Sequence, residues 1–578
     1  MQYKQLVLAL KDEWVPIETY RVEGLSTVWL SSKFDGDEAS FAQQFSFADP
    51  NTTCLEELCF NQEEKLLVLG ERYGGKGIGY NGGGARCGTI GPYQLKGIGA
   101  NQLVGDHNNQ VHSYGGLDAR SAICEAIFTN VLSKVLPVGV ADVYGIIFTG
   151  KNAAIDPMSQ EKCWGSILVR EACVRPAHFL PATGFQPRVE HGKSLRPDFA
   201  RTKIVNQKLD GNFSSPNEYV MFLGEFLSRC ANQMAFARVA RVMHSTMTPS
   251  NISIDGRWLD LPLSSFISGG ENFGLSSIFY QEVSEPLGFC MELIHTYGKM
   301  NNIVLNPAPL IAYYNEQVDA YCSHHLGYLF GLPFEKLNNQ FKPDLDTIKI
   351  LAMSIINKGK DINRRWAEPD PNDPVTDLVV GAFISLEDSR VGRGLLEKCG
   401  LSPIQAEQFS AAFRRLTQAL AMMYGCSARP FTMKYALIAL KRAILSGIFY
   451  LSLVDKAVKS LCSNGDPAEI SHLINSYDET ANWIFENSTD DNLTIYKTEN
   501  FVLKSGSRLN TYSVYDGSSN NVQDFPSLTE ALSYFGEIVN FKRECFRGFS
   551  YEDYFNRLSQ LNQYLCPHKK NRGAHYAA

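Results

Sequence analysis

The chain has 578 residues and an ordinary composition, with 44% hydrophobic, 20% charged and 11% aromatic residues. These proportions exclude a disordered or fibrous protein, and the length suffices for two to four domains or one large, elaborated enzyme. The formal net charge of −7 argues against a general nucleic-acid binder, because phosphate contacts require a basic surface.

The cysteines and the apolar stretches bear on the cellular compartment. The 14 cysteines are scattered, without a CxxC pair or a Cys/His cluster, so we expect reduced thiols and no zinc site. The N-terminus lacks the pattern of a signal peptide. The most apolar stretch, residues 435–454, carries Lys441 and Arg442 near its middle, which favours a buried amphipathic helix over a membrane span. We therefore expect a cytoplasmic protein with no membrane partner.

The first part of the chain is predicted to be a mixture of strands and loops followed by a helix. Residues 1–67 combine strand-like runs with polar loops and contain no clear motif. Residues 68–165 follow the pattern of strand, glycine-rich loop, strand and helix. That helix is expected over 117–136, with Asp118 near its start.

The remainder is predicted to be mostly helical, with a short mixed extension. Residues 166–465 contain long segments of helical periodicity, interrupted by a Pro/Asp-rich loop or hinge at 367–377. Residues 466–578 are predicted to form an α/β extension of short strands and then a helix from Ser527 to residue 546, with Ser527 as its cap. A small mixed α/β part followed by a larger helical part indicates an α+β protein with two lobes.

Residues 70–99 contain an unusual density of glycine. Two phosphate-loop patterns occur there, GERYGGKG (70–77) and GIGYNG (77–82), and both lack the helix that such loops require. In the first, Gly77 also stands where a metal-binding hydroxyl is needed. A kinase-like glycine loop, which covers phosphates from a strand–turn–strand, needs no helix. A purely structural loop explains the glycines alone equally well.

Lys96 and Glu125 form a candidate ion pair. Lys96 lies in a short strand of alternating character, where packing alone rarely favours a lysine. A kinase-like strand places such a lysine against nucleotide phosphates and pairs it with a glutamate on a helix. Apolar neighbours of Glu125 predict a packed surface, on which a carboxylate needs a cation. The alternative is an ordinary pair of solvent-facing charges.

Asn251 and Asp260 form a candidate metal site in HSTMTPSNISIDGRWLDL (244–261). Their spacing allows a short hairpin to bring both side chains to one point, and amide and carboxylate oxygens suit Mg²⁺. A turn asparagine and a surface aspartate are the alternative interpretation. The chain order of glycine-rich loop, lysine, glutamate, asparagine and aspartate is more specific than any of its members.

Four segments together resemble the selenoprotein O family, kinase-like proteins that transfer AMP to protein hydroxyls. They are YQLKGIGANQLVG, GLDARSAICEAIFTNVLSKVLPVGVADVYGII, LVREACVRPAHF and MHSTMTPSNISIDGRWLDL. The resemblance covers about residues 68–262. It implies a protein-kinase-like bilobal fold with a small mixed α/β N-lobe, a large helical C-lobe and a C-terminal elaboration. It also implies ATP bound in reversed orientation, with its α-phosphate facing the acceptor.

The resemblance implies roles for residues that match the family's motif positions for ATP and Mg²⁺. They are the phosphate-contacting pair Lys96 and Glu125, the metal ligands Asn251 and Asp260, the phosphate-binding arginines Arg170 and Arg175, and the further nucleotide contacts Arg86 and Gly97. The two phosphate-binding arginines are closer together in sequence than in the family. His244 matches the histidine that begins the family's catalytic-loop motif.

Two positions depart from the family pattern. Ser250 replaces an aspartate proposed as the general base, and Cys566 stands alone where the family has a redox pair. Serine cannot take a proton from a hydroxyl acceptor at neutral pH, whereas a carboxylate acceptor is already ionised.

We therefore expect an ATP- and Mg²⁺-dependent nucleotidyltransferase that moves AMP to a protein, peptide or carboxylate acceptor, with Ser250 in its catalytic loop. Carboxylate activation of a peptide in the maturation of ribosomal peptides such as microcins is one setting. The alternatives are a kinase that transfers the γ-phosphate and a nucleotide-binding pseudokinase scaffold. In either case the C-terminal half offers surface for a partner protein.

Overall fold

The computed structural model describes most of the chain, namely residues 6–7, 10–51, 58–106, 113–157, 159–192, 194–268, 278–357, 373–485, 492–498, 500–506, 511–517, 519–539 and 545–565. The protein is mixed α/β, with an antiparallel sheet in its N-terminal part and a mostly helical part after it. This confirms the coarse fold class that the sequence predicts.

The N-terminal sheet has eight strands in the order β2-β7-β8-β6-β5-β4-β1-β3. They are β1 (Val15–Val22), β2 (Ser26–Leu30), β3 (Phe47–Ala48), β4 (Phe60–Gly70), β5 (Cys87–Ile90), β6 (Tyr93–Lys96), β7 (Val143–Ile155) and β8 (Lys162–Glu171). Every neighbouring pair is antiparallel. One sheet thus combines strands from segment 1–67 with strands from the segments that follow.

Two helices pack on this sheet. Helix α1 (Glu38–Phe45) buries Phe41 and Phe45. Helix α2 (Ala119–Ser133) begins at the predicted cap, because the Asp118 side chain accepts a hydrogen bond from the Ser121 amide. Eleven residues of α2 are buried, so the helix is enclosed on nearly all sides. It packs on β7 and β8 and also contacts two helices of the C-terminal part, residues 451–464 and 469–485.

The part after the sheet is dominated by helices. They are α3 (Asp198–Asp210), α4 (Pro216–Ala240), α5 (Phe279–Glu282), α6 (Glu285–Asn301), α7 (Ala308–Leu329), α8 (Lys342–Ile356), α9 (Pro374–Ile384), α10 (Ser389–Lys398), α11 (Pro403–Met423), α12 (Ala428–Leu440), α13 (Leu451–Asn464) and α14 (Glu469–Phe485). The short strands β9 (Val242–Met243) and β10 (Ser265–Phe266) pair with each other and flank the loop that contains the candidate metal site.

The Pro/Asp-rich stretch is only partly the loop that the sequence predicts. Residues 367–372 lie outside the described residues, and residues 374–377 form the first turn of α9. The Asp373 side chain accepts a hydrogen bond from the Val375 amide and so caps this helix. Proline suits the first position of a helix, where its missing N–H has no intrahelical partner, and this explains why the pattern was misleading.

The apolar stretch 435–454 is buried as predicted, but a single helix is wrong. Helix α12 ends at Leu440 and is followed by a π-helical turn (Lys441–Leu445) and a 3₁₀-helical turn (Ser446–Phe449). Helix α13 begins after them. Lys441 Nζ donates to the carbonyl of Trp483 at 2.9 Å, and Arg442 donates to the carbonyl of Tyr328 at 3.0 Å. Burial of these two cations therefore depends on distant carbonyl groups that local periodicity does not reveal.

Within the described ranges no single helix is both long and apolar enough to cross a bilayer. The consecutive helical segments Ala428–Phe449 and Leu451–Asn464 reach that length and hydropathy only when taken together, and the chain bends by 45° between them.

The C-terminal extension is an antiparallel meander with two helices. It contains β11 (Thr494–Lys497), β12 (Phe501–Ser505), β13 (Tyr512–Asp516), β14 (Asn521–Phe525), α15 (Leu528–Ile538), the hairpin strands β15 (Cys545–Phe546) and β16 (Phe549–Ser550), and α16 (Glu552–Leu565). Ser527 caps α15 as predicted, by accepting from the Glu530 amide at 3.2 Å. The helix ends at Ile538, earlier than its periodicity indicates.

The glycine-rich run lies between β4 and β5, which pair antiparallel, so the predicted strand–loop–strand is present. The loop is packed tightly, because the Gly82 amide donates to the Leu103 carbonyl at 2.8 Å and the Gly84 amide to the Glu71 carbonyl at 2.9 Å. A Cβ at Gly83, whose φ is +143°, would lie 2.1 Å from the Glu71 carbonyl oxygen. Glycine is therefore required there by close backbone approach.

We predict that Gly83→Ala lowers the melting temperature by several degrees, because the added methyl group meets backbone that cannot move aside. We expect a cost of about 1–3 kcal/mol. The matched control is Gly394→Ala in α10, where an added Cβ has no atom within 4 Å. It should preserve or raise the melting temperature, since alanine is favoured over glycine inside helices by roughly 0.5–1 kcal/mol. Thermal unfolding measures both, and an unchanged Gly83→Ala protein would contradict the packing described here.

Candidate functional site

A cavity of about 870 Å³ is lined by the glycine-rich loop, the sheet, the start of α2 and the loop between β9 and β10. This volume is in the range of ligand sites in proteins. Six of the nine predicted site residues line it: Arg86, Lys96, Arg170, Ser250, Asn251 and Asp260. The other three, Gly97, Glu125 and Arg175, lie outside this lining.

Lys96, Arg170 and Asp260 line the cavity, and together with Glu125 behind them they form a cluster of four charged side chains. Lys96 Nζ lies 2.9 Å from Glu125 Oε2 and 2.5 Å from Asp260 Oδ1. Arg170 Nη1 lies 2.5 Å from Glu125 Oε1 and 3.6 Å from Asp260 Oδ1. The Glu125 side chain is only 1% exposed. The predicted Lys96–Glu125 ion pair is therefore present and buried, and the solvent-facing alternative is excluded.

Neighbouring strands explain how two cations reach the same glutamate. Lys96 pairs with Leu168, and Gln94 pairs with Arg170, in the β6–β8 ladder. Side chains two residues apart on a strand point to the same face, so Lys96 and Gln94 share the face that α2 and the cavity cover. Arg170 lies directly opposite Gln94 on the neighbouring strand, so its side chain points to this face as well. Glu125 on α2 lies where it can accept from both cations.

Charge determines the ionisation of Asp260. Its partial burial favours the neutral acid, but the charges of Lys96 and Arg170 outweigh this and hold the pKa of Asp260 well below its usual range. The same cluster raises the pKa of Arg170, although burial opposes its charge. Asp260 is thus a carboxylate at neutral pH and a suitable partner for a cation.

Asn251 and Asp260 are brought together by the predicted hairpin. The Leu259 amide donates to the Asn251 carbonyl at 3.1 Å, and Ile252 and Trp258 form a β-bridge. Asn251 Nδ2 donates to the Thr246 carbonyl at 2.9 Å, which fixes the amide so that Oδ1 is its acceptor end, and the Ser250 hydroxyl donates to this oxygen. Asp260 has a φ of +62°, a strained value for a non-glycine residue that is often found at functional sites.

The donors fit Mg²⁺ in kind. An amide oxygen and an ionised carboxylate are hard ligands, and Mg²⁺ commonly binds through one or two protein groups together with substrate phosphates. No cluster of three or more His, Cys, Asp or Glu side chains with metal-site geometry occurs in the described ranges. A magnesium ion at Asn251 and Asp260 would therefore complete its coordination with water or with a ligand such as a triphosphate.

Ser250 lies beside a second hydroxyl. Its Oγ is 2.9 Å from Thr248 Oγ1 and donates to Asn251 Oδ1 at 3.3 Å. Both hydroxyls line the cavity next to Asn251. Neither group accepts a proton at neutral pH, so position 250 supplies polarity and no general base.

His244 is a structural residue of this loop. It is fully buried, its Nε2 is 3.1 Å from the Leu259 carbonyl, and its ring packs edge-on against Trp258. Burial lowers the pKa of His244 to about 4, so the imidazole is neutral at pH 7. Two amides at the start of the loop, those of His244 and Ser245, donate to the Glu282 carboxylate at 3.0 and 2.6 Å.

Arg175 lies behind the cavity wall in this structure. Its side chain is 2% exposed, and it donates from Nη1 to the Ser250 carbonyl and from Nη2 to Gln94 Oε1, both at 3.0 Å. Its Nε is buried and makes no hydrogen bond with any described residue. The arginine thus supports the loop that carries Ser250 from behind, and the phosphate contact that the resemblance implies stays a prediction.

Gly97 and Arg86 have backbone roles in addition to the predicted ones. Gly97 has a φ of +96°, and a Cβ there would lie 2.6 Å from the Ser166 carbonyl oxygen. Its amide already donates to the Arg86 carbonyl at 2.9 Å. Arg86 Nη1 donates to the Gly116 carbonyl at 2.9 Å and joins the glycine-rich loop to the start of α2. Nucleotide contact by these two residues stays a prediction.

Sequence reasoning missed two buried residues next to the predicted arginines, Glu71 and Gln94. Glu71 contacts Thr89, Gln94 and His178. Burial opposes its ionisation, but these hydrogen bonds and the Arg175 charge lower the pKa of Glu71 to about 2. Side chains two residues apart on a strand share a face, so the sequence puts Gln94 on the same face as Lys96, and this pattern could have identified Gln94 as a site residue. Glu71 had no comparable signal, because its partners are distant in sequence.

A scan of the chain against protein-family models finds no match, and a search of curated proteins finds none either. The resemblance to selenoprotein O therefore stays a prediction that rests on the four quoted motifs. Cys566, its second departure from that family, lies outside the described residues.

We predict that His244→Asn weakens the dependence of stability on pH. The folded pKa is about 4 against an ordinary 6.5, so the unfolded chain binds more protons at intermediate pH. The stability that neutral His244 provides is complete above pH 6.5 and is lost as the pH falls toward 4. Between pH 7.5 and 5 this loss amounts to about 2 kcal/mol.

The measurement is thermal unfolding of wild type and of His244→Asn, each at about pH 7.5 and about pH 5. His244→Asn should melt below wild type at pH 7.5, and the gap should narrow at pH 5. His295→Asn, which removes an exposed imidazole from α6, is the control and should follow the wild-type pH dependence. A gap that widens on acidification would contradict a buried, neutral His244.

Proposed function

We propose that this protein is an ATP- and Mg²⁺-dependent nucleotidyltransferase that moves AMP from ATP to a carboxylate, peptide or protein acceptor. The observation that carries the proposal is the convergence of Lys96, Arg170, Asn251 and Asp260 on one cavity beneath a glycine-rich strand–loop–strand. Kinase-like proteins bind a triphosphate and its metal with such a set of groups. The motif resemblance over residues 68–262 favours transfer of AMP over transfer of the γ-phosphate.

The proposal includes a protein-kinase-like arrangement of lobes. In it, the antiparallel sheet with α2 is the smaller lobe, and the helices from α3 onward form the larger lobe. The cavity is lined from both parts, which is where a kinase-like protein binds its nucleotide. The C-terminal half is the surface for the acceptor or a partner protein.

The cations of the cavity would neutralise the triphosphate. Arg86, Lys96 and Arg170 supply positive charge, and Glu125 holds Lys96 and Arg170 in place. Lys96 now contacts Asp260 and would exchange this partner for a phosphate oxygen when nucleotide binds. Asn251 Oδ1 and Asp260 would hold Mg²⁺, which supplies further neutralisation of phosphate charge when bound.

The acceptor chemistry follows from position 250. A carboxylate oxygen of the acceptor attacks the α-phosphorus, and a new oxygen–phosphorus bond forms. The bond from the α-phosphorus to its bridge oxygen breaks, and pyrophosphate leaves with the bonding electrons. The product is an acyl adenylate, and no proton has to be removed because the attacking carboxylate is ionised at pH 7. The hydroxyls of Ser250 and Thr248 support this choice, since neither can deprotonate an alcohol.

We predict that label from α-³²P-ATP, and none from γ-³²P-ATP, appears on the acceptor. Lys96→Met and Asp260→Asn should each lower turnover by about 10²–10³-fold, because each removes charge that contacts phosphate or metal. Lys65→Met, on the exposed part of β4, is the matched lysine control and should retain full turnover. Acceptor labelled by the γ-phosphate would establish a kinase instead, and tight ATP binding without turnover on any acceptor would establish a pseudokinase scaffold.

A second prediction concerns the class of acceptor. With ATP and candidate peptides, wild type should catalyse pyrophosphate exchange with a free C-terminal carboxylate and none with the same peptide amidated. Ser250→Asp places a base beside the acceptor and should increase AMP transfer to hydroxyls by about 10²-fold or more. Ser250→Asn should show no such gain, because asparagine has the shape of aspartate but is not a base. Wild-type activity confined to hydroxyl acceptors would reject the carboxylate assignment.

A further inference from the structure

We infer that Gln94, held by Glu71, is a positioning residue that orients Arg170 and Arg175 for the nucleotide. The inference deepens the proposed function and rests on it, because it concerns the same cavity. Neither Gln94 nor Glu71 lines the cavity, and both are buried, with at most 1% of their surfaces exposed. They act on the site only through the residues that they contact.

Within the described part of the chain, Gln94 is the one side chain that accepts hydrogen bonds from both arginines. Its Oε1 accepts from Arg170 Nε at 2.9 Å and from Arg175 Nη2 at 3.0 Å. Its Nε2 donates to Glu71 Oε1 at 2.8 Å. A flipped amide would place donor against donor at both arginines and oxygen against a carboxylate. The surroundings therefore permit only one orientation of this amide.

Glu71 fixes the other end of the amide. Its Oε1 also accepts from Thr89, and its Oε2 faces His178 Nε2 at 3.3 Å and Arg175 Nη2 at 3.7 Å. The carboxylate thus holds the Gln94 amide and counters the charge of Arg175. Glu125 does the same for the charge of Arg170. The two buried arginines are therefore paired with different carboxylates, and Gln94 is the neutral acceptor between them.

This arrangement links the nucleotide cations to the catalytic loop. Arg170 lines the cavity, and Arg175 donates from Nη1 to the Ser250 carbonyl at 3.0 Å. A displaced Gln94 would release both guanidinium groups, which repel each other once their shared acceptor is lost. The direct consequence would be weaker binding of the triphosphate and a misplaced Ser250–Asn251 loop.

The amide–carboxylate contact can be tested by exchange of its two groups. Gln94→Glu places two carboxylates in contact, and Glu71→Gln leaves two amides and an uncompensated arginine. The double variant Gln94→Glu/Glu71→Gln restores one amide, one carboxylate and the wild-type net charge. We expect each single change to raise the Kd of a non-hydrolysable ATP analogue and the KM for ATP at least tenfold. The double variant should bind within about threefold of wild type.

Rescue separates positioning from a role in packing alone. Residues that only fill space would change the melting temperature of the single variants and leave the Kd and KM of the folded protein unchanged, and that result would overturn the inference. A folded double variant as weak as the singles would overturn it as well. If the single variants do not fold, the Kd and KM of the double variant decide. Values within about threefold of wild type support the inference, and values at least about tenfold higher overturn it. The control Gln62→Glu, on the exposed part of β4, should bind like wild type.

Failure of this inference can be distinguished from failure of the proposed function. If wild type binds the analogue and Lys96→Met does not, the nucleotide site stands, and indifferent Gln94 and Glu71 variants overturn only the positioning role. If wild type binds no analogue in the presence of Mg²⁺, the proposed function fails and the positioning inference fails with it.

Discussion

The contact of Glu125 with both Lys96 and Arg170 is the interaction on which the candidate site depends. Buried charges are stable only when they are paired, and removal of one partner commonly costs about 3–5 kcal/mol. Here the partners come from β6, from α2 and from β8, and Asp260 joins them from the loop beyond the hairpin. Charge pairing therefore fixes the sheet, helix α2 and the loop that carries Asp260 in one relative arrangement.

The parts of the fold that depend on local chemistry could be predicted from the sequence. Asp118 and Ser527 cap their helices because a short polar side chain can reach an amide three residues ahead. The hairpin that brings Asn251 toward Asp260 is likewise set by close neighbours. The Lys96–Glu125 pair was predictable for a different reason. An enclosed helix leaves a buried carboxylate few ways to be stabilised, and a strand lysine nearby was the simplest.

The features that were missed depend on residues distant in sequence. Glu71 meets His178 across 107 positions, and Lys441 is stabilised by the Trp483 carbonyl across 42. Periodicity reports which face of a segment is apolar, but it does not identify the polar group that will meet a buried charge. For the same reason the motif could place Arg175 near the site and could not show that Gln94 and the Ser250 carbonyl hold it behind the wall.

The proposed acceptor chemistry follows from an imbalance within one cavity. The cavity contains cations and oxygen ligands of the kind that the proposed metal-bound triphosphate would contact, while position 250 has only a hydroxyl. A nucleophile that arrives protonated would have to lose its proton to water, and this is slow for an alcohol at neutral pH. An ionised carboxylate avoids this step. Ser250 therefore argues against the proposal of hydroxyl transfer and supports the proposal of carboxylate activation.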